Sequence, residues 1–241
     1  MFKREAVILV GGLGTRLRDS VGDLPKSMAP VDGKPFLVYI LDHLCKYRFT
    51  KAVLAAGYRH EEIKSFFGNA YKKLELAYSI ENEPLGTGGA ILKATGSITT
   101  DAFLVLNGDT LFNIDLENFR KSFKYSNASL SIALKPMVNF DRYGSVTLDE
   151  KRIVSFNEKV FCAEGLINGG IYILRKEWIR KSAPGEKFSF EKDIMEKRVN
   201  TDIITGFISD SYFIDIGIPE DYEKARHELP VVLPSPRSST E

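Results

Sequence analysis

Along the first half of the chain, apolar runs of strand length alternate with longer amphipathic stretches, which is the pattern of βαβ units. The runs predict strands near Ala6 to Val10, Ala52 to Ala56, Leu74 to Ile80 and Phe103 to Leu106, separated by helical patterns at Phe36 to Tyr47, Glu61 to Phe67 and Gly89 to Thr95. In the first of these helices Leu37, Ile40, Leu41 and Leu44 share one face, and Pro35 suits its first turn. The second half is richer in strand signals, at Leu130 to Leu134, Ser145 to Leu148, Ile153 to Asn157 and Ile167 to Leu174, with two short runs ending near Ser209 and Asp215. The expected fold is α/β, a mixed but mainly parallel sheet flanked by helices, with the second half returning to the same sheet and supplying a β-rich lid over the substrate. A helix at Glu220 to Glu228 closes a single domain over residues 1–229, and the proline- and serine-rich stretch 230–241 is expected to be a disordered tail.

Composition narrows the partners. Of 241 residues, 33 are basic and 32 acidic, so no excess positive field exists to draw in nucleic acid or an anionic membrane. No stretch approaches the roughly 18 apolar residues of a spanning helix, and the N-terminal apolar run ends in Gly11 and Gly12 rather than a cleavage site, so the expected location is cytoplasmic. Cys45 and Cys162 form no CxxC and have no ligand cluster nearby, and both read as ordinary packing.

The first strand leads into Gly11-Gly12-Leu13-Gly14-Thr15-Arg16-Leu17, followed by Pro25-Lys26-Ser27-Met28-Ala29-Pro30-Val31 and Lys34-Pro35. Three glycines let backbone N–H groups approach phosphate oxygens, and Arg16 and Lys26 add fixed positive charge. The glycines alone are most simply a turn; with the two cations and the two proline stations they read as a phosphate-handling loop. A dinucleotide GxGxxG fails at Leu17, and a Walker loop fails at Pro35. A second station, Leu104-Val105-Leu106-Asn107-Gly108-Asp109, ends an apolar strand in a carboxylate that would face a crevice. One such aspartate is most simply a cap, but Ile214-Asp215-Ile216-Gly217 offers a second, and two carboxylates with substrate phosphates suit magnesium.

The run G-G-x-G-T-R-L, P-K-x-M-x-P-V, K-P, N-G-D and D-I-G-x-P-E-D-Y resembles the signature of the sugar-1-phosphate nucleotidyltransferases, which join a nucleoside triphosphate to a sugar 1-phosphate and release pyrophosphate. The resemblance spans nearly the whole chain and implies a Rossmann-like, GT-A-like domain. It places the triphosphate on Gly11, Gly12, Gly14 and Thr15, with Asn107 also on the nucleotide side. Arg16 would contact the outer phosphates and Lys26 the α-phosphate, both as catalytic groups, and Asp109 and Asp215 would hold Mg²⁺. Three further stations resemble the family's sugar site: Gly144 in Arg142-Tyr143-Gly144, Glu158 with Lys159, and Asn168 in Asn168-Gly169-Gly170. His43, His60 and His227 have no motif context and receive no catalytic part.

The base is read from Glu81-Asn82-Glu83-Pro84-Leu85-Gly86-Thr87-Gly88-Gly89. An ionised Glu83 only accepts hydrogen bonds, and guanine presents N1–H and its 2-amino group side by side, which points to GTP; Gly88 would allow close approach to the base. The other reading has Glu83 capping a turn while the main chain selects the base. The segment is similar to the guanylyltransferase branch of the family, and the expected acceptor is a manno-configured heptose 1-phosphate. Mannose 1-phosphate, or the same reaction with UTP, CTP or dTTP, are the alternatives. Two rivals lie outside the reaction: a glycosyltransferase, against which the loop with Lys26 argues, and a non-catalytic nucleotide-sugar-binding subunit, whose expected mark, loss of Lys26 or an aspartate, is absent. Family members commonly associate, so a homo-oligomer is expected.

Overall fold

A computed structural model of the chain describes residues 3–12, 17, 22, 24–57, 59–157 and 159–233. The first half runs β1 (Glu5–Leu9), β2 (Pro30–Val31), β3 (Lys34–Pro35), α1 (Phe36–Lys46), β4 (Lys51–Ala56), α2 (His60–Phe67), β5 (Ala70–Tyr71), β6 (Leu74–Ile80), α3 (Gly86–Ala94) and β7 (Ala102–Asn107). The second half adds β8 (Thr110–Phe112), α4 (Leu116–Ser126), β9 (Leu130–Phe140), β10 (Ser145–Asp149), β11 (Arg152–Phe156), β12 (Cys162–Arg175) and α5 (Lys176–Ser182). A π-helical turn at Phe190–Met195, β13 (Ile204–Ile208), β14 (Phe213–Asp215) and α6 (Pro219–Val232) complete it.

Ten of these strands form one sheet in the order β10-β11-β13-β9-β12-β7-β1-β4-β6-β5. Strands β7, β1, β4 and β6 are parallel neighbours, because each crossover between them carries a helix. Beyond β7 the sheet changes character. β12 pairs antiparallel with both β7 and β9, and β10 antiparallel with β11 and β12. The expectation of a mainly parallel sheet is therefore corrected: it holds for the first half, whereas β9 to β12 are joined by short connections that only antiparallel pairing can close. The sheet as a whole is mixed.

Alternation along the strands fills both faces. In β1, Ala6 and Ile8 enter one core with side chains of α1, α2, α4 and α6, while Val7 enters the other with α3, α5 and the π-helical turn. Helix α4 starts where the Asp115 side chain accepts the N–H groups of Glu117 and Asn118, each at 2.9 Å. Helix α6 begins with Pro219 in its first turn and continues beyond Glu228, through Pro230, as far as Val232, with Leu229 buried on its inner face. Residues 234–241 of the expected tail lie outside the described residues.

Two features place a site. The chain proceeds from β1 to β4 and β6 on one side and then returns to β7 on the other, so the strand order reverses between β1 and β7, where a crevice opens outside the carboxyl ends. Strand β14 pairs antiparallel with β8, setting Asp215 opposite Thr110, and the Ile216 N–H donates to the Asp109 carbonyl at 2.9 Å. That pairing brings the two carboxylates singled out in the sequence side by side.

Candidate active site

A cavity of about 830 Å³ occupies this crevice. Its walls come from the residues after successive strands: Gly11 and Gly12 after β1, Gly57, Arg59 and His60 after β4, Glu81 to Pro84 after β6, and Asn107 to Asp109 after β7. Lys26 and the first turn of α3 complete the lining. The glycines at the reversal point are dictated by packing. A Cβ on Gly108 would stand 2.5 Å from the Leu9 carbonyl oxygen, which accepts the Gly108 N–H at 2.9 Å. Gly11 approaches the Gly57 nitrogen in the same way, so a Cβ there would lie 3.1 Å from it.

Charge concentrates at one edge. Lys26 sits in a short 3-10 turn closed by the Met28 N–H donating to the Pro25 carbonyl at 2.8 Å, and its Nζ lies 3.4 Å from Asp109 Oδ2. Burial, and then the Asp109 charge, push the Asp215 carboxyl up to about 6, while the Gly217 N–H and Lys26 oppose the shift. That N–H donates to Asp215 Oδ1 at 2.7 Å. Nearby, burial followed by the Asp215 charge drives the Tyr143 hydroxyl pKa upward. Asp215, whose charge burial and Asp109 oppose, offers together with the Asp109 carboxylate beside it hard oxygen ligands to a cation. Among the described residues no group of three or more His, Cys, Asp or Glu side chains could hold a metal. The donor set thus fits an ion that takes one or two carboxylates and fills its remaining positions with phosphate and water, as Mg²⁺ does.

Of the residues singled out from the sequence, Gly11, Gly12, Lys26, Glu83, Asn107 and Asp109 line the cavity. Gly14, Thr15, Arg16 and Glu158 lie outside the described residues. Gly88 requires a correction. Its N–H donates to the Phe188 carbonyl at 3.1 Å, and a Cβ would meet the Phe188 ring at 2.2 Å, so this glycine makes room for the segment after α5 rather than for a base. Glu81 takes the turn-capping part considered for Glu83: its Oε2 accepts the Leu85 N–H at 3.0 Å, and Glu83 stands exposed on the cavity wall.

Of the residues expected to meet the sugar, Gly144 packs against the Asn157 carbonyl, which would lie 2.7 Å from a Cβ, and its neighbour Tyr143 feels the Asp215 charge. Arg142 ties this segment to α6 through Asp221 at 2.7 Å. Lys159 is exposed and Asn168 half-buried, and neither is on the cavity wall. Sequence reasoning missed Gly57, Arg59 and His60, although a glycine immediately after a central strand was the available signal, and it missed Tyr143, whose hydroxyl feels the charge of residue 215.

The sequence profile described as "Nucleotidyl transferase" matches residues 5–230. The chain belongs to the nucleotidyl transferase family. D-glycero-alpha-D-manno-heptose 1-phosphate guanylyltransferase of Aneurinibacillus thermoaerophilus is 51% identical over 93% of this chain and 98% of its own length. The enzyme of the same name from Campylobacter jejuni is 48% identical over 90% and 96%. The crystal structure of HddC from Yersinia pseudotuberculosis complexed with GMP-PN superposes with a TM-score of 0.83 at 39% identity, covering 94% of this chain and 99% of that one. As a nucleotidyl transferase the protein must gather several phosphate charges at one point, and the Lys26–Asp109–Asp215 edge is where its described charges converge.

Proposed function

We propose that the protein transfers the guanylyl group of GTP to D-glycero-α-D-manno-heptose 1-phosphate, giving the GDP-heptose and pyrophosphate. The observation that carries this reading is the identity of about half, over nearly the full length, to guanylyltransferases named for that sugar phosphate. The cavity supports it: Gly11 and Gly12 line it at the end of β1, Glu83 offers a carboxylate acceptor on its wall, and Asp109 stands at one edge beside Asp215.

In this mechanism an oxygen of the sugar phosphate attacks the α-phosphorus of GTP in line, forming one P–O bond as the bond to pyrophosphate breaks. No nucleophilic side chain takes part, so the work of the protein is positioning and charge neutralisation. Gly11 and Gly12, continued by Gly14 and Thr15, present backbone N–H groups to the triphosphate. Lys26 offsets charge at the α-phosphate and Arg16 at the outer phosphates. Asp109 and Asp215 would hold Mg²⁺, which when bound neutralises charge on the reacting phosphates. Glu83 accepts from N1–H and the 2-amino group of guanine. Gly144, Glu158 and Asn168 would serve the sugar, and Lys159 its phosphate. A homo-oligomer working in the cytoplasm is part of the same reading.

The test is pyrophosphate release with Mg²⁺, five nucleoside triphosphates in turn, and either the heptose phosphate or mannose 1-phosphate. The expected result is release with GTP and the heptose phosphate. Release with mannose 1-phosphate alone overturns the sugar, release with another nucleotide overturns the base, and silence with every pair overturns the reaction.

A further inference from the structure

The motif D-I-G-x-P-E-D-Y runs from Asp215 to Tyr222, and the mechanism uses only its first carboxylate. The rest of it turns the chain into α6. Gly217 folds back on Asp215, its N–H donating to Oδ1 at 2.7 Å, and a Cβ there would stand 2.9 Å from that oxygen. The Ile218 carbonyl then accepts the Tyr222 N–H at 3.0 Å in the first turn of the helix. Asp215 and Tyr222 therefore belong to one short, internally bonded piece of chain.

Tyr222 is 3% exposed, and its ring packs in the core with side chains of α1 and α4. A hydroxyl buried there is costly unless it is hydrogen-bonded. It donates to the Pro30 carbonyl at 2.7 Å, a partner 192 positions away. The preceding carbonyl, that of Ala29, accepts the Phe36 N–H at 2.9 Å, so the Pro30 carbonyl points away from β3 and is open to the tyrosine. Pro30 stands four residues past Lys26, and the chain between them is itself bonded, with the Ala29 N–H donating to the Lys26 carbonyl at 3.0 Å.

These contacts close a ring around the charged edge of the cavity. Lys26 Nζ lies 3.4 Å from Asp109 Oδ2, and the Asp109 carbonyl accepts the Ile216 N–H at 2.9 Å. From Ile216 the chain leads to Tyr222, the tyrosine to Pro30, and Pro30 back to Lys26. We propose that Tyr222 is a positioning residue for nucleotidyl transfer: through the Pro30 carbonyl it holds the Lys26 turn in place beside Asp109 and Asp215, so that one cation and two carboxylates meet the reacting phosphates together. This rests on the reading of the protein as a guanylyltransferase and deepens it, because Tyr222 lies off the cavity wall and acts through Lys26.

Two measurements on Tyr222→Phe in the full-length protein test it. Lys26 is placed where charge develops at the α-phosphate, so its displacement weakens transition-state binding more than ground-state binding. In pyrophosphate release kcat is expected to fall about five- to tenfold, the factor that one lost hydrogen bond of ordinary strength gives, with KM for GTP unchanged. Trace acetylation of the substrate-free protein with acetic anhydride, read by mass spectrometry, is expected to label Lys26 severalfold faster relative to exposed Lys121. Replacing Tyr222 with 4-aminophenylalanine, which keeps a donor at the same place on the ring, is expected to restore both. A tyrosine that only stabilises the fold would lower the melting temperature and leave kcat and Lys26 labelling as they are, and that result overturns the proposal. A loss confined to KM, or a fall in kcat without faster Lys26 labelling, overturns it as well. If Tyr222→Phe does not fold, Tyr222→Met, which fills the space without a donor, takes its place with the same expectations. Silence of the wild type with every substrate pair defeats the guanylyltransferase reading, whereas the labelling of Lys26 needs no substrate and judges the clamp alone.

Discussion

Asp215 occupies a place where burial and a neighbouring carboxylate both oppose its charge, and a group so placed takes up a proton or a cation. Asp109→Asn and Asp215→Asn are each expected to lower kcat by at least about 100-fold in a pyrophosphate assay at saturating Mg²⁺, the usual scale for losing a group that stabilises transferred charge. Near wild-type turnover in Asp215→Asn would sink the two-carboxylate account. Asp109 and Lys26 were legible in the sequence because each sits in a short motif whose chemistry is local. Tyr143 was not, since it interacts with the charge of a residue far along the chain, at 215.

A second residue acts on stability alone. Burial, followed by the charge of Lys46, holds the His43 imidazole down at about 4, against an ordinary 6.5. The unfolded chain therefore takes up the proton first as pH falls, so the stability tied to the neutral ring is complete above pH 6.5 and is lost as pH falls towards 4. Melting temperatures between pH 7.5 and 5 should fall several degrees more steeply for the wild type than for His43→Leu. Parallel slopes would show that the imidazole is not the group responsible.

At the scale of elements, the glycine-rich start of α3 is a docking surface for the chain after α5. Gly86 has a φ of +73° and lies under the Phe188 carbonyl, Gly89 lies under the Glu186 carbonyl, and Thr87 Oγ1 donates to Glu191 Oε2 at 2.6 Å. Gly88→Ala would push a methyl group into the Phe188 ring and is expected to cost roughly 1–3 kcal/mol, read from the denaturant midpoint. Phe188→Leu in that background should restore part of the loss, and no recovery would mean that the ring is not the obstacle. The element pattern itself was legible, because period-2 and helical periodicities record burial on the sheet faces. The pairing direction of the second half was not, because hydrophobic periodicity reports which face is buried and says nothing of which neighbour a strand meets. Gly88 shows a related limit: a glycine signals a close approach without naming what approaches, here Phe188.

For the whole molecule, the division of labour follows the sheet. The parallel half builds the cavity from the turns after β1, β4, β6 and β7, and the mixed half returns β14 to β8 so that Asp215 stands beside Asp109 at one edge. The nucleotide and its acceptor would therefore meet at the seam between the halves, with the α-phosphorus beside Lys26, Asp109 and Asp215. The most direct measurement of that claim is a single turnover with heptose 1-phosphate carrying ¹⁸O in its phosphate, followed by mass analysis of both products. Attack by the sugar phosphate on the α-phosphorus predicts that all of the label appears in the GDP-heptose and none in pyrophosphate. Label in pyrophosphate, or GMP released without any sugar phosphate present, would contradict it.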